Sequence, residues 1–247
     1  MTGKTGMGKI SILMYHQVGD FSRPAAHRAN YCHVRRFKAQ MAWLHRFGYR
    51  VIGLADAMRC LRGEQPMPRH GVVLTFDDGF QNFYDYAFPV LKRYGFPSTV
   101  FLVADLLGEK SEWLAAEKRE VPLMDLETIR ELRREGVLFG SHTLSHPRLS
   151  RIDHLEMRRE VLESKRKLET LLEEEIPYFC YPYGDFDEQV VATVREAGYE
   201  VALSCTRASS FGPEDPLRLP RKAISYGDSL AGFFWKIHMK NYSKKDA

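Results

Sequence analysis

Two aspartates in succession, Asp77 and Asp78, follow directly on the apolar run Val72-Val73-Leu74-Thr75-Phe76 and precede Gly79 and Phe80. Carboxylates at the end of a buried strand are costly unless something pairs with them. Neighbouring carboxylates also repel, so a proton or a cation has to settle the site. One arrangement binds a metal ion with one carboxylate and keeps the other free as a base. Asp-Gly is equally a turn signal, and on this segment alone the two readings weigh about even. A second apolar run ends in Gly140-Ser141-His142-Thr143-Leu144-Ser145-His146-Pro147. Histidines four apart offer two imidazoles to one ion if the chain turns between them, and Pro147 favours a bent turn over a continuing helix. A histidine pair on a loop is by itself ordinary polar surface. Together, Asp78, His142 and His146 supply two nitrogens and one oxygen, the facial set of a catalytic divalent ion with positions open for water. That set suits zinc first, with cobalt, nickel and manganese compatible. A third segment, Phe179-Cys180-Tyr181-Pro182-Tyr183-Gly184, places rings on a proline-stiffened loop. Such rings stack on sugar faces or fill the rim of a core; Tyr181, Pro182, Tyr183 and Gly184 are read as one wall of a substrate pocket.

Residues so far apart in the chain need a scaffold that gathers strand ends. Apolar runs of strand length alternate with segments of helical period, which implies a parallel sheet built from βα units. Strands are expected over 11–18, 50–54, 71–76, 98–103, 137–141, 178–181 and 200–204, with 219–224 as an eighth. Helices are expected over 34–47, 54–61, 82–94, 126–135, 154–175, 188–197 and 229–239. Gly48, Gly95, Gly136 and Gly198 each stand where a left-handed residue commonly closes a helix. Seven or eight such units match the size of one (β/α) barrel, whose active site sits where the strands end; a doubly wound open sheet is the competing architecture. No repeat, low-complexity stretch or linker divides the 247 residues, so the fold class is α/β, a distorted (β/α) barrel of seven or eight parallel strands in a single domain. Segment 108–122 reads as a charged surface loop. The helix over 154–175, with opposite charges at i and i+4, reads as a solvated outer face.

Composition narrows the function classes. With 44% AVILMFWYC the chain can bury a substantial core, and 36 Lys+Arg against 32 Asp+Glu leave a net charge of only +4, with the signs intermingled. That balance does not suit a nucleic-acid protein. Cys32, Cys60, Cys180 and Cys205 are scattered without a CxxC pair, which fits buried or inert thiols rather than a disulfide framework or a thiolate zinc site. No apolar run has the length of a membrane span, and residues 1–16 lack the stretch and cleavage site of a signal peptide. The expected compartment is therefore the cytoplasm. Residues 229–247 combine bulky apolar side chains with Lys240, Lys244 and Lys245. They read first as a terminal helix docked on the barrel, and second as a weak contact with the surface of the inner membrane.

Thr75-Phe76-Asp77-Asp78-Gly79, Ser141-His142-Thr143 through His146-Pro147, and Tyr181-Pro182-Tyr183-Gly184 resemble, in order and spacing, three motifs of the polysaccharide deacetylases of carbohydrate esterase family four, which include the chitooligosaccharide deacetylase-like domains. The resemblance spans about residues 71–204. It implies a bacterial metal-dependent hydrolase with Asp77 as general base and Asp78, His142 and His146 as ligands of one divalent ion. Its substrate would be an N-acetylated glycan or glycolipid intermediate. Two positions depart from the family pattern. Cys180 stands where an arginine usually orients the catalytic aspartate, and the late strand ending in histidine is missing. Ile12-Leu13-Met14-Tyr15-His16 resembles that late motif moved to the amino terminus, as in a permuted subset of the family. By that resemblance His16 is the general acid, while Arg221, read as the end of a late strand, would hold Asp77 in place of the missing arginine. The alternatives are a catalytically silent carbohydrate-binding barrel and a metal-dependent hydrolase of a non-sugar amide.

Overall fold

A computed structural model describes residues 8–238 apart from 25–26, 112, 115–119 and 211–214. Lys240, Lys244 and Lys245 lie outside the described residues, as does part of the 108–122 segment. Ten strands are described: β1 (Ile10–Tyr15), β2 (Gln17–Gly19), β3 (Tyr31–His33), β4 (Arg50–Val51), β5 (Gly71–Phe76), β6 (Thr99–Leu102), β7 (Leu138–Ser141), β8 (Tyr178–Cys180), β9 (Val201–Leu203) and β10 (Lys222–Ala223). Seven α-helices accompany them: α1 (Val34–Arg46), α2 (Leu54–Leu61), α3 (Phe88–Tyr94), α4 (Leu126–Arg134), α5 (His154–Leu172), α6 (Glu188–Glu196) and α7 (Leu230–His238).

The main sheet runs β10-β1-β5-β6-β7-β8-β9, all parallel, with β4 pairing the start of β5. It curls rather than lying open. Lys222 and Ala223 pair with Leu13 and Met14, while Leu219 bridges to Leu203, so the stretch 219–223 links β9 back to β1 in a distorted (β/α) barrel. Period-2 alternation sorts the strand residues into two clusters. Ile10, Ile12, Val73, Phe101, Cys180 and Leu203 turn inward and are stoppered by Leu54, Ala57 and Leu61 of α2. Leu13, Tyr15, Leu74, Phe76, Leu102 and Phe179 turn outward under the helices. His16 and Asp77 continue the inward parity of their strands. Their side chains therefore meet over the barrel mouth.

Several boundaries differ from the sequence reading. The expected strand 11–18 breaks at His16, and Gln17–Gly19 pairs instead with Tyr31–His33 in a separate two-stranded sheet. The break frees the His16 backbone from the ladder. Leu54 opens α2 rather than closing a strand, and of 219–224 only Lys222–Ala223 is strand. Arg221 therefore precedes β10 and projects into the barrel; it does not cap a strand end. The expected helix 82–94 is a π-helical turn, Phe83–Ala87, followed by α3 with Pro89 in its first turn. A proline there has no N–H to continue the regular ladder, so the register shifts just before it. The four expected helix-closing glycines all take positive φ. Helix α7 docks through buried Phe233 and Ile237, and leaves Leu230, Phe234 and Trp235 exposed. Among the described residues no helix is long and apolar enough to cross a membrane.

Candidate metal and catalytic site

Asp77 and Asp78 follow β5 at the carboxyl end of the barrel, and both are buried. Asp78 takes φ 75°, so the chain turns sharply after Asp77 and aims the two carboxylates differently. Across β6, the segment after β7 carries His142 and His146 on a bent turn, with positive φ at Thr143 (71°) and His146 (68°). Six non-glycine residues among those described have positive φ, and Asp78, Thr143, His146 and Tyr183 are four of them. Strained backbone is thus concentrated at this one place. β7 also packs tightly on β6 here: a Cβ at Gly140 would lie 2.6 Å from the Phe101 ring.

The histidine turn is held by partners the sequence did not announce. Glu160 of α5 is buried and accepts hydrogen bonds from the backbone N–H of Leu144 (2.8 Å) and Ser145 (3.0 Å), and from the Ser145 hydroxyl. The Thr143 hydroxyl accepts from the His146 N–H at 3.0 Å. Helix α5 is therefore not simply a solvated face: Glu160 sits in its buried stripe with Met157, Val161, Ser164 and Leu168. A charged residue at a core-facing position was the available signal.

Nε2 of His142 and Nε2 of His146 each lie 3.4 Å from Asp78 Oδ1. That is long for a hydrogen bond. It matches the separation of about 3.4 Å between two ligand atoms that sit at about 2.0–2.1 Å on one tetrahedral ion. The His142 Nδ1–H donates to the Cys180 carbonyl at 2.7 Å, which fixes the tautomer and presents Nε2 to an ion. Burial, joined by the neighbouring His142, pushes His146 down to about 3, so its imidazole is neutral and able to ligate. Burial alone would raise Asp78, but the adjoining imidazoles of His142 and His146 bring its carboxyl below the ordinary value. The three side chains fit a divalent cation by donor type, protonation and spacing.

Asp77 stands beside them in a different environment. Arg221 grips it in bidentate fashion, Nη1 to Oδ1 at 2.6 Å and Nη2 to Oδ2 at 2.8 Å, while Nη1 also reaches Thr75 Oγ1 and Nε donates to the Ser204 carbonyl. Burial opposes ionisation of Asp77, but the guanidinium outweighs it and holds the carboxyl well below the usual range. Cys180 lies against both partners, its thiol 3.6 Å from Asp77 Oδ2 and 3.0 Å from Arg221 Nη2. The position that lacks an arginine thus still touches the aspartate, through a weak donor, while the guanidinium arrives from the residue just ahead of β10. Nε2 of His16 is 3.9 Å from Asp77 Oδ2, and its buried Nδ1 has no hydrogen-bond partner among the described residues.

The third segment divides. Tyr181 is fully buried and turns outward under the helices, its hydroxyl donating to the Leu217 carbonyl and its ring packed on Phe179 and Phe186, so it cannot line a pocket at the barrel mouth. Pro182 is buried as well. Tyr183, at φ 60°, returns to the site: its ring stands edge-on to His146 at 4.6 Å and carries the Arg148 guanidinium 4.1 Å above it. Gly184 passes so close to Cys205 that a Cβ would meet it at 2.6 Å. Trp113 stacks on the His146 ring at 4.3 Å. Trp113 belongs to the stretch read as a surface loop, where no periodicity pointed to it. Trp113 and Tyr183 are the rings that flank the histidine.

Compared with known proteins, residues 64–202, more than half of the chain, match the model of the family described as polysaccharide deacetylase. YxkH of Bacillus subtilis (strain 168) is 25% identical over 225 residues, which cover 91% of this chain and 75% of that protein. The poly-beta-1,6-N-acetyl-D-glucosamine N-deacetylase of Escherichia coli (strain K12) is 26% identical over 235 residues, 81% of this chain but only 34% of that longer protein. Among solved structures, the Streptococcus pyogenes deacetylase PplD in complex with acetate has the same fold. It superposes with a TM-score of 0.79 over 94% of this chain and 99% of that one, at 23% identity.

Proposed function

The chain belongs to the polysaccharide deacetylase family, a family of hydrolases, and from that premise we propose that it removes N-acetyl groups from amino sugars of a glycan or glycolipid intermediate. Poly-β-1,6-N-acetylglucosamine is the first polymer to test, since the Escherichia coli relative is named for it. Asp78, His142 and His146 would hold one divalent ion, zinc before cobalt, nickel or manganese. When bound, such an ion supplies Lewis-acid polarisation of the amide carbonyl and lowers the pKa of water.

The protein's own groups do the rest. Asp77, kept charged by Arg221, takes the proton from the attacking water. Arg221 is a positioning residue that orients Asp77 and keeps it charged. His16, across the mouth from the histidine pair, protonates the departing amine. Tyr183 and Trp113 form the apolar walls on which a sugar face would stack. The observation that carries this reading is the convergence of Asp78, His142 and His146 beside a second carboxylate held by its own arginine.

The test is acetate release from N-acetylglucosamine oligomers, measured after chelation and after return of zinc, cobalt, nickel or manganese. Activity lost on chelation and restored by at least one of the ions is expected. A stripped protein as active as the loaded one, or no release with any ion from β-1,4- or β-1,6-linked oligomers, would overturn the reading.

A further inference from the structure

The chain between β9 and β10 supplies no α-helix among the described residues, so the outer flank of β10 is left to α7 and to loops. A cavity of about 390 Å³ results, lined chiefly by Arg28, Arg207, Lys222, Lys236, Ser225 and Asp228. Arg28 lies between β2 and β3, Arg207 follows β9, and Ser225 and Asp228 follow β10. Arg207, Ser225 and Asp228 thus lie on segments at the same end of the barrel as Asp77 and His16.

Its charge is one-sided. Asp228, the one acid among these lining residues, is engaged by the Lys236 ammonium and the Ser225 N–H. Lys222 is 3% exposed, and its Nζ donates to the Ile237 carbonyl at 3.0 Å. Among the described residues no carboxylate pairs with Lys222, Arg28 or Arg207. A cation buried without a counter-charge is unfavourable. Burial and the nearby Lys9 push Lys222 down to about 8, as expected where negative charge is wanting. Arg28 and Arg207 are exposed at the rim and offer planar forks suited to carboxylate or phosphate oxygens.

We propose that this cavity is a subsite for an oxyanion-bearing group, a carboxylate or a phosphate ester, carried by the glycan on which the neighbouring site acts. The inference rests on the deacetylase reading for the identity of the chain it grips, but not for the anion preference itself. A glycan that carries such groups is then preferred over the neutral polymer named above.

The test uses the double variant Arg28→Ala/Arg207→Ala, whose side chains are exposed, with thermal melting to establish that it folds as the parent does. Both proteins, metal-loaded, are titrated calorimetrically in phosphate- and sulfate-free buffer with three probes. These are N-acetylglucosamine 6-phosphate, a short N-acetylglucosamine–N-acetylmuramic acid oligomer and a neutral N-acetylglucosamine oligomer. The parent should bind at least one acidic probe more tightly than the neutral one, and the double variant should lose about tenfold on that probe alone, as expected for removed charge-assisted hydrogen bonds. Preference for the phosphate or for the carboxylate probe tells which source of oxyanion the cavity takes. Equal affinity for all three probes, or a preference that survives loss of both arginines, overturns the proposal. Anion preference without acetate release would instead sink the deacetylase reading and leave the anion subsite standing.

Discussion

The base role proposed for Asp77 needs a carboxylate that is charged, aimed and still accessible, and Arg221 meets the first two needs by a bidentate grip from inside the barrel. Replacing Asp77 by Asn should keep the metal ligands in place and lower kcat by about 10²–10⁴-fold; metal content by elemental analysis and acetate release check the two halves separately. Arg221→Met tests the positioning role. It should destabilise the fold by about 3–5 kcal/mol, because the buried carboxylate loses its partner. In the protein that remains folded, the acid limb of the pH–rate profile should move upward, since removing the guanidinium lets burial raise Asp77. An unchanged acid limb would mean that Arg221 is structural only. These residues differ in how far the sequence displays them. Asp77, Asp78, His142 and His146 sit in short contiguous segments whose chemistry can be read locally. Arg221 is signalled only by the gap at Cys180, and its place ahead of β10 is hidden because only Lys222–Ala223 of the run 219–224 is strand. Trp113 and Glu160 act on the histidines across long stretches of chain, which no local pattern reports.

Helix α5 shows how an element positions a site without entering it. Its N-cap Asp153 accepts from the N–H groups of Leu155 and Glu156, and its buried stripe packs on the sheet while holding Glu160 against the turn between His142 and His146. Glu160→Ala should leave two backbone N–H groups and the Ser145 hydroxyl without their acceptor, costing about 2–4 kcal/mol. It should also weaken zinc affinity by about 10–100-fold, as loss of an outer partner of a metal ligand does. Urea unfolding of the metal-free protein and competition with a chromophoric chelator measure these effects. Glu160→Gln, which keeps one acceptor oxygen, should recover part of both, and affinity unchanged in the alanine variant would remove α5 from the metal site. At this scale the central elements were legible. The strand 71–76 and the helix 54–61 fall where the apolar periodicity puts them, because burial on both sides or on one stripe fixes their pattern. The ends that carry function were not. The break at His16 depends on β3, a partner elsewhere in the fold, while the π-helical turn follows from Pro89 within an otherwise unbroken helical period.

For the whole molecule, two histidines with lowered pKa values couple stability to pH, and one of them, His146, belongs to the candidate site. Burial, together with His142, takes His146 down to about 3, and burial, together with Lys9, takes His238 at the end of α7 down to about 4. In the unfolded chain both titrate near 6.5. Between these values the unfolded state binds more protons than the native state, so unfolding free energy rises with pH across that window and falls as acid is added. Each pKa unit corresponds to about 1.4 kcal/mol at full burial, and His238 is half-exposed to screening, so His146 dominates. The metal-free protein should therefore lose stability on the order of a few kcal/mol between pH 7 and pH 4, a large share of what a domain of this kind possesses. Asp77 adds nothing in that window: its depressed value gives stability that persists above the unfolded carboxylate range and is lost only at stronger acid. An ion on His146 Nε2 requires the neutral ring, so saturating zinc should deepen the dependence and raise stability at neutral pH. Urea midpoints of the stripped and zinc-loaded protein at pH 4, 5, 6 and 7, compared with those of His146→Gln, measure the effect. A variant with the same slope as the parent would place the acid sensitivity outside the site and remove His146 as its source.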